Sequence, residues 1–396
     1  MANEIKKSLL VTLDFPPNNV GGVATFYYNV CKNLPPDKIV VLAPDHPDAN
    51  NFDQKQHFTI IRKKLLNQFP QKMPAGLGGI IKIAATVRWL SLIKNLNEIV
   101  KTHQIKLIQV GQVLPIGTLA LVLKKRLKIP YIFYAHGLDI LLPQKFMRKK
   151  TILKNIIKES SGIVANSHFT KDELLKLGAN NGQVTVVYPG ANIKNHHVAD
   201  SEIAALIKKH QLENKKILLT VGRLVERKGH DVVIKSLPAI IKKIPNITYL
   251  IVGDGPRKTQ LVNLVHQLRL GHYVQFVDRV ANSILPAYYQ LADVFIMPSR
   301  RINGYDVEGF GIVFIEANLF GKPVIGGRSG GVGEAIVDGQ TGILVNPTSE
   351  EEVSRSVIKL LTDPALAERL GLQGMERALR DFDWQTQTKK IKDLLS

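Results

Sequence analysis

The chain has 396 residues, of which 45% are hydrophobic and 22% charged, and its formal net charge is +20. This length suits two domains, and the composition excludes a disordered or fibrous protein. The single cysteine, Cys31, excludes an internal disulfide, and no apolar stretch approaches the ~20 residues that span a bilayer. The apolar run 8–13 is too short for a secretion signal. We therefore expect a cytoplasmic protein, either free or at the inner face of the membrane.

Short apolar runs alternate with amphipathic stretches along the chain, which predicts parallel sheets covered by helices. The strands predicted in the first half are residues 8–13, 39–43, 58–62, 105–110, 131–135, 162–166 and 184–188. Those in the second half are residues 217–221, 248–252, 274–277, 294–297, 324–325 and 343–345. Helical patterns between them include residues 230–243, 257–268, 312–320 and 349–361. The alternation predicts an α/β fold of two doubly wound domains, with a break near Tyr188-Pro189-Gly190.

Ligands of open parallel sheets bind at the carboxyl ends of the strands, so the residues after each strand are the candidate site. Gly21 and Gly22 open a helix after the first strand, where backbone amides could approach a phosphate or a sugar. His136 follows the strand 131–135 and suits a polar contact or a proton acceptor. An ordinary turn and a structural histidine are the alternatives for these two features.

Two cations follow the first strand of the second half. Arg223 and Lys228 lie on the loop after residues 217–221, and they offer a planar fork and a point charge for a diphosphate. A solvated run of charges is the alternative. Gly253 follows the next strand and gives a second turn at which the backbone can approach a ligand.

Two glutamates flank the start of a predicted helix. Glu308 precedes Gly309 and Gly311, and Glu316 lies about two turns inside the helix. A glycosidase acid–base pair needs carboxyl groups opposed across a sugar at ~5–9 Å, which this placement does not favour. We expect two contacts with different parts of one ligand, and the first amides of the helix between them suit phosphate oxygens.

The positive charge is concentrated in the first half. Residues 62–158 hold 19 basic residues and two acidic ones, Glu98 and Asp139. Such a surface attracts an anionic bilayer, nucleic acid or a phosphorylated substrate, with a merely solvated surface as the alternative. The basic clusters lack interleaved aromatic residues, so we expect no nucleic-acid partner. Residues 79–100 form an amphipathic, basic stretch that suits an anionic leaflet, or else a core helix.

Taken in order, these positions resemble glycosyltransferase family 4, the retaining enzymes with the GT-B architecture of two Rossmann-like domains facing across a cleft. The most specific parts of the resemblance are residues 221–229 and the segment from Glu308 to Glu316. Gly21-Gly22, Asn166-Ser167, Tyr188-Pro189-Gly190 and Gly330-Gly331 with Glu334 are also similar to the family. Asp139 departs from it, since many relatives carry Glu at this position, and the shorter acid could change acceptor or sugar contacts.

The resemblance implies a role for each residue. Arg223 and Lys228 would hold the donor diphosphate without a metal ion, Glu308 would contact the transferred sugar, and Glu316 would contact the ribose. His136 would lie near the reacting sugar and the acceptor. The backbone around the glycines would close on the donor, and the residues concerned are Gly22, Gly253, Gly309, Phe310, Gly311 and Ile312. Residues 1–190 with 380–396 would form the acceptor domain, and residues 191–379 would form the donor domain.

The segment 306–313 is most similar to the mannosyltransferases that act on phosphatidylinositol mannosides, which favours GDP-mannose over a UDP-sugar as donor. The expected acceptor is a lipid, a glycan or a phosphorylated small molecule, and peripheral contact with an anionic membrane is expected with it. No cofactor is expected, and Asp381-Phe382-Asp383 lies in the tail, where we interpret it as structural. Two alternatives stay open: a nucleotide-sugar epimerase of the same architecture and a non-catalytic polyanion-binding protein.

Overall fold

The computed structural model describes residues 4–17, 21–64, 80–191 and 198–396, with the backbone alone for residues 80–90. The chain divides into two compact units. Unit 1 comprises Met1–Tyr188 and Trp384–Ser396, and unit 2 comprises Pro189–Asp383. The last helix of the chain therefore belongs to the same unit as its first strand.

Unit 1 is built on a parallel sheet of seven strands in the order β3-β2-β1-β4-β5-β6-β7. The strands are β1 (Ser8–Val11), β2 (Ile39–Pro44), β3 (Thr59–Lys63), β4 (Leu107–Val110), β5 (Tyr131–Ala135), β6 (Gly162–Ala165) and β7 (Val184–Val186). Its helices are α1 (Gly22–Lys32), α2 (Ala49–Asp53), α3 (Ile80–Thr102), α4 (Ile116–Leu127), α5 (Leu138–Leu141), α6 (Met147–Glu159), α7 (His168–Lys176) and α16 (Trp384–Leu395).

Unit 2 has a parallel sheet of six strands in the order β10-β9-β8-β11-β12-β13. The strands are β8 (Lys216–Val221), β9 (Ile247–Val252), β10 (Val274–Val277), β11 (Val294–Met297), β12 (Val324–Gly327) and β13 (Ile343–Val345). The helices are α8 (Asp200–His210), α9 (His230–Ile241), α10 (Lys258–Gln267), α11 (Leu285–Leu291), α12 (Ile312–Leu319), α13 (Val332–Ala335), α14 (Glu350–Thr362) and α15 (Pro364–Asp381).

The predicted fold class is confirmed: all thirteen predicted strands form, and they form two doubly wound sheets. The central strands β1, β4, β5, β8 and β11 are buried along almost their whole length, which is why they read as continuous apolar runs rather than as alternating ones. Strand ends differ by a few residues, as at β12, which runs on through two glycines to Gly327.

The C-terminal helix packs into the core of unit 1. The Trp384 ring lies edge-on to Phe26 at 5.5 Å between centroids, and Leu395 is fully buried. The side chain of Gln387 accepts a hydrogen bond from the backbone N–H of Tyr188 at 2.9 Å. These contacts join the end of the chain to α1 and to the segment after β7.

In each sheet the strand order reverses at one point, between β1 and β4 in unit 1 and between β8 and β11 in unit 2. The connections leave these two neighbouring strands in opposite directions, so a crevice opens at their carboxyl ends. The segments that follow these strands and their neighbours are therefore the places to look for a site in each unit. Within the described ranges, no helix combines the length and the apolar composition that crossing a bilayer requires.

Candidate functional site

The loop from β8 to α9 carries the two predicted cations, but in different environments. Arg223 is exposed, and among the described residues it makes no ion pair. Lys228 ends a short 3-10 turn, Glu226–Lys228, and is 8% exposed. The structure therefore separates the two: Lys228 lies inside unit 2 and Arg223 at its surface.

A close approach of backbone fixes the end of this loop. Gly229 has a φ of 76°, and a Cβ atom there would lie 2.2 Å from the carbonyl oxygen of Pro298. Only glycine accepts both the left-handed conformation and this contact. The backbone N–H of Arg300 also donates to the carbonyl oxygen of Arg227 at 2.8 Å. The β8–α9 loop is thus held against the segment that follows β11, across the point where the strand order reverses.

Glu308 lies at the centre of the resulting ion-pair cluster. Its Oε2 atom is 2.6 Å from the Nζ of Lys228 and 2.6 Å from a terminal nitrogen of Arg227. The Nε of Arg227 lies 3.0 Å from a carboxylate oxygen of Asp306. Two cations and two carboxylates thus meet beside the turn that leads into α12.

Burial and charge compete in this cluster. Burial by itself raises the pKa of Glu308, but the positive charges of Lys228 and Arg227 and their hydrogen bonds outweigh it and lower the pKa to about 2. Burial lowers the pKa of Lys228, and the negative charge of Glu308 opposes that effect. Glu308 is therefore a carboxylate at neutral pH, and it holds both cations in place.

The turn that carries Glu308 rests on a second glycine turn. The backbone N–H of Gly331 donates to the carbonyl oxygen of Glu308 at 3.0 Å. A Cβ atom on Gly331 would lie 2.1 Å from the carbonyl oxygen of Gly309, so a side chain at Gly331 would displace the turn. The Gly330-Gly331 pair predicted from the sequence thus supports the Glu308 backbone.

The helix α12 begins as predicted. Gly311 caps it with a φ of 93°, and Ile312 is its first residue. Glu316 is the fifth helical residue, so it lies in the second turn of the helix rather than two full turns inside it. The side chain of Phe310 is buried against Phe382 at 5.4 Å between ring centroids, so this residue presents only its backbone to the predicted site.

Glu316 has a partner that the sequence did not indicate. The hydroxyl of Tyr289, on α11, donates to Glu316 Oε2 at 2.7 Å. Burial raises the pKa of Glu316, while the Tyr289 hydrogen bond and the charge of Lys228 lower it in part. Because the charge of Lys228 acts on both glutamates, the three side chains share one electrostatic environment. Gly253, which follows β9, packs against the start of the β8–α9 loop, since a Cβ atom there would lie 2.2 Å from the carbonyl oxygen of Gly222.

In unit 1, His136 is joined to the neighbouring strand by a buried tyrosine. The Tyr27 hydroxyl, on α1, donates to the carbonyl oxygen of Gly111 after β4, and it lies 2.8 Å from His136 Nε2 after β5. The single hydroxyl proton goes to Gly111, so the hydroxyl oxygen accepts from His136 and Nε2 carries the imidazole proton. Burial lowers the pKa of His136 to about 4. At neutral pH the imidazole is therefore uncharged, and its lone pair is on Nδ1.

Asp139 stabilises the turn after His136. Its Oδ1 atom accepts from the backbone N–H of His136 at 2.9 Å, whereas Oδ2 is buried and has no hydrogen-bond partner among the described residues. Burial raises the pKa of Asp139 to about 6, although hydrogen bonds from backbone N–H groups oppose the rise. For the paired glycines of unit 1, no atom of the described residues would lie within 4 Å of a Cβ atom on Gly21 or Gly22.

Two further predictions can be placed in the structure. Asp381 pairs with Arg380 and Arg377, and Phe382 is buried, as the structural interpretation of this motif requires. In the stretch 79–100, the apolar residues from Leu92 to Val100 are buried, so this part of α3 is a core helix. The side chains of residues 80–90, and residue 79 itself, lie outside the described part of the chain. Among the residues that are described, no three His, Cys, Asp or Glu side chains could hold a metal ion.

Arg227, Tyr289 and Tyr27 are the site residues that sequence reasoning missed. Arg227 stands beside Lys228 and is a cation on the same loop, so its position was a usable signal. The two tyrosines lie on amphipathic helices, where an aromatic residue is indistinguishable from a core residue before its hydroxyl partner is known.

Comparisons with known proteins identify the family of each half of the chain. Residues 20–195 match the family model described as Glycosyltransferase Family 4, and residues 202–377 match the one described as Glycosyl transferases group 1. The chain is 28% identical, over 98% of each chain, to a GDP-mannose-dependent alpha-(1-6)-phosphatidylinositol monomannoside mannosyltransferase of Mycolicibacterium smegmatis. It is 26% identical, again over 98% of each, to a GDP-mannose-dependent mannosyltransferase of Corynebacterium glutamicum that acts on the monoacylated form of that lipid.

Solved structures share the fold of the whole chain. Anabaena HepE in complex with UDP and glucose superposes with a TM-score of 0.78, at 20% identity and with 98% of each chain covered. Sucrose-phosphate synthase from Thermosynechococcus elongatus superposes with a TM-score of 0.77, at 21% identity over 97% of this chain and 96% of that one. The two family models together span most of the chain, and the first ends a few residues after the boundary between the units at Tyr188 and Pro189. The chain therefore belongs to the glycosyltransferases, with a family 4 domain in its first half and a group 1 domain in its second half.

Proposed function

We propose that this glycosyltransferase transfers mannose from GDP-mannose to a membrane lipid acceptor, with retention of the α configuration. The observation that carries the proposal is the convergence of Lys228 and Arg227 on Glu308 at the start of α12, in a chain whose full-length relatives are named as GDP-mannose-dependent mannosyltransferases. The acceptor class comes from the same relatives, whose printed names specify phosphatidylinositol mannosides. A phosphorylated or purely glycan acceptor is the next candidate.

The cations of unit 2 supply what the donor needs. Departure of GDP breaks the bond between C1 of mannose and a β-phosphate oxygen, and negative charge develops on the diphosphate. Lys228 and the exposed Arg223 lie on one loop, and the amides that open α12 add partial positive charge. Fixed cations and amides stabilise such a leaving group without reorganisation. Within the described ranges, Glu308 is the one carboxylate paired with Lys228, so a phosphate oxygen can share this lysine.

The glutamates suit the two ends of the donor. Glu308 is ionised and lies beside Lys228, so it can accept hydrogen bonds from sugar hydroxyls next to the diphosphate. Glu316 lies four residues into α12 and is oriented by Tyr289, so it suits the ribose hydroxyls. Retention follows if the acceptor oxygen bonds to C1 on the face that GDP leaves, while the acceptor proton passes to the departing phosphate oxygen. His136 of unit 1 is neutral and offers Nδ1 as an acceptor for a hydroxyl group, and we assign it a contact with the sugar or the acceptor.

The test is a transfer assay on the full chain. Radiolabelled GDP-mannose, UDP-glucose and UDP-N-acetylglucosamine are each supplied with phosphatidylinositol monomannoside in detergent, in the presence of a chelator, and the extracted lipid is counted. We expect label in the lipid with GDP-mannose alone, and an α linkage by NMR. Transfer from a UDP-sugar only, or transfer that the chelator abolishes, would refute the donor assignment or the metal-independent mechanism.

Two variants test the diphosphate contact. Arg223→Ala combined with Lys228→Ala removes both predicted cations, and we expect kcat/KM to fall by at least ~100-fold, the size seen when one electrostatic stabiliser of a transition state is lost. Lys235→Ala on α9 is the matched control, because it removes an exposed lysine of the same unit. Unchanged turnover by the double variant would refute the proposal. Donor alone, incubated without acceptor, tests the epimerase alternative through the sugar released.

A further inference from the structure

Four large apolar side chains are exposed within residues 138–147, the ten residues that begin two positions after His136. They are Leu138, Leu142, Phe146 and Met147, with exposed fractions of 41%, 39%, 51% and 81%. Only eight large hydrophobic side chains are exposed among the described residues, so half of them lie in this short stretch. An exposed cluster of this kind marks an interaction surface.

These side chains are not needed for the core of unit 1. The same segment already buries an inward face, which consists of Ile140, Leu141 and Pro143. Its local geometry is set by the helix α5, the turn Leu142–Lys145 and the start of α6. The four apolar side chains are therefore presented outward by a segment that is already packed.

Basic residues accompany these four exposed apolar side chains. Residues 138–158 contain six basic residues and one acidic residue. The Nζ atom of Lys149 lies 4.6 Å from the centroid of the Phe146 ring, and Lys145 and Arg148 are also exposed. Exposed aromatic and aliphatic side chains among lysines and arginines are typical of segments that lie in the interface of an anionic bilayer, where the apolar groups enter and the cations meet lipid phosphates.

The surface is continuous with the candidate site of unit 1. The chain runs from β5 through His136 and Gly137 directly into α5. The exposed apolar side chains and the histidine therefore lie at the same edge of the sheet. A lipid acceptor keeps its acyl chains in the bilayer, and only its headgroup can reach an enzyme. A docking surface beside His136 meets that requirement.

We propose that the α5–α6 surface, consisting of Leu138, Leu142, Phe146 and Met147 with Lys145, Arg148 and Lys149, docks on a leaflet of anionic phospholipid. This inference rests on the lipid acceptor of the proposed function and names the surface that brings the enzyme to it. It differs from the stretch 79–100 that the sequence suggested, whose described second half is core.

The first experiment is co-sedimentation of the full chain with phosphatidylcholine vesicles, with and without phosphatidylglycerol. We expect binding only to the anionic vesicles, and weaker binding as salt is added. Phe146→Ser with Met147→Ser should weaken binding by at least ~10-fold, because each buried side chain of this size contributes that much. The matched control is Leu372→Ser with Leu379→Ser, which removes two apolar side chains of unit 2 that are 50% and 52% exposed.

The charges are tested separately. Arg148→Ser with Lys149→Ser should weaken binding by about five-fold for each cation lost, whereas Lys208→Ser with Lys209→Ser, two exposed lysines of α8, should change it little. If the α8 control weakened binding as much as the α6 variant, net charge rather than this surface would be responsible, and the proposal would fail.

A site-specific probe reports insertion directly. The chain's own cysteine, Cys31, is buried, so Met147→Cys can be labelled selectively with an environment-sensitive fluorophore. We expect a blue shift on anionic vesicles for this label and none for the same label at Leu372→Cys. A solvent-exposed spectrum at both positions would overturn the proposal, and would leave a protein partner as the explanation of the patch.

The two proposals fail in different ways. Transfer to lipid in detergent without vesicle binding would leave the mannosyltransferase assignment intact and refute the docking surface. Vesicle binding through Phe146 and Met147 without transfer from any nucleotide sugar would support the surface and refute the assignment.

Discussion

Replacing Glu308 by glutamine tests both the ion pairs of Glu308 and its proposed contact with the transferred sugar. In the structure the carboxylate of Glu308 accepts from Arg227 and Lys228 at 2.6 Å each. Glutamine keeps the size of the side chain but removes its charge. Arg227 retains Asp306 as a partner, whereas Lys228 is left buried without a carboxylate.

The magnitude follows from the perturbed carboxyl group. The difference between the ordinary pKa of 4.5 and about 2 corresponds to about 3 kcal/mol of stabilisation of the charged form. Breaking a buried ion pair by removing one partner costs a similar amount, about 3–5 kcal/mol. We therefore expect Glu308→Gln to lower the free energy of unfolding of unit 2 by about 3 kcal/mol at pH 7.

The pH dependence gives this prediction a sign. The pKa of Glu308 is lower in the folded chain than in the unfolded one. The contribution of Glu308 to the free energy of unfolding is therefore complete above pH 4.5 and is lost as the pH falls towards 2. The difference between the wild type and Glu308→Gln should therefore be constant near neutral pH and should narrow on acidification below 4.5. If the difference in free energy of unfolding between the wild type and Glu308→Gln stayed constant below pH 4.5, the ion pairs of Glu308 would not be its cause.

The assay must follow unit 2 specifically. Both tryptophans, Trp89 and Trp384, lie in unit 1, so intrinsic tryptophan fluorescence does not report on unit 2. Calorimetry, or hydrogen exchange of peptides from α12, does. Glu226→Gln is the matched control, because this glutamate lies on the same loop, its side chain is 45% exposed, and its ion pairs in the described part of the chain are long ones of 3.7 and 4.0 Å to arginines. It should change stability by less than about 1 kcal/mol.

The same variant separates binding from transfer. If Glu308 contacts the sugar and Lys228 the diphosphate, Glu308→Gln should bind GDP at least as tightly as the wild type, since the phosphate no longer competes with a carboxylate for Lys228. Mannose transfer should nevertheless fall by ~100-fold or more. Weaker GDP binding together with unchanged kcat would refute the assignment of Glu308 to the sugar.

Three other changes have defined outcomes. Tyr27→Phe leaves the carbonyl oxygen of Gly111 without its buried donor, so unit 1 should lose about 1–3 kcal/mol, and nitrogen NMR should show His136 no longer fixed with its proton on Nε2. Gly331→Ala should displace the Glu308 turn, lowering stability by about 1–3 kcal/mol and raising the donor KM. Gly333→Ala should do neither, because its Cβ atom would lie 4.0 Å from the nearest side-chain atom of the described residues, on Leu344. Because the pKa of His136 is lowered to about 4, the free energy of unfolding should fall as the pH drops from 6.5. Because the pKa of Asp139 is raised to about 6, this group makes the free energy of unfolding rise over nearly the same pH range. In Asp139→Asn the opposing effect is gone, so the free energy of unfolding, measured by denaturant titration, should fall by up to about 3 kcal/mol between pH 6.5 and 4. If the variant and the wild type had the same pH dependence, the two opposing pKa shifts would be refuted.

The fold was predictable because its determinants are local. A strand buried on both faces reads as a largely apolar run, and the central strands of the two sheets have that pattern, whereas the edge strand β3 is only partly buried and ends in Arg62 and Lys63. The start of α12 was predictable for the same reason, since Gly311 must take a positive φ and the apolar helical pattern begins at Ile312. Which cation of the β8–α9 loop turns inward was not predictable. Loops have no periodicity, and the short turn Glu226–Lys228 that buries Lys228 and directs Arg227 to Glu308 exists only when the loop packs on the segment after β11.

The contacts that define both candidate sites join residues that are far apart in the chain. Arg227 and Glu308 are separated by 81 positions, and Tyr27 and His136 by 109. In each unit such a contact crosses between segments that meet only because the strand order brings their carboxyl ends together. The sequence could therefore name the strand ends at which chemistry would occur, since that depends on topology alone. It could not name the partners that set the ionisation of Glu308 or the tautomer of His136, because these partners lie on a loop and on a helix, Arg227 on the β8–α9 loop and Tyr27 on α1.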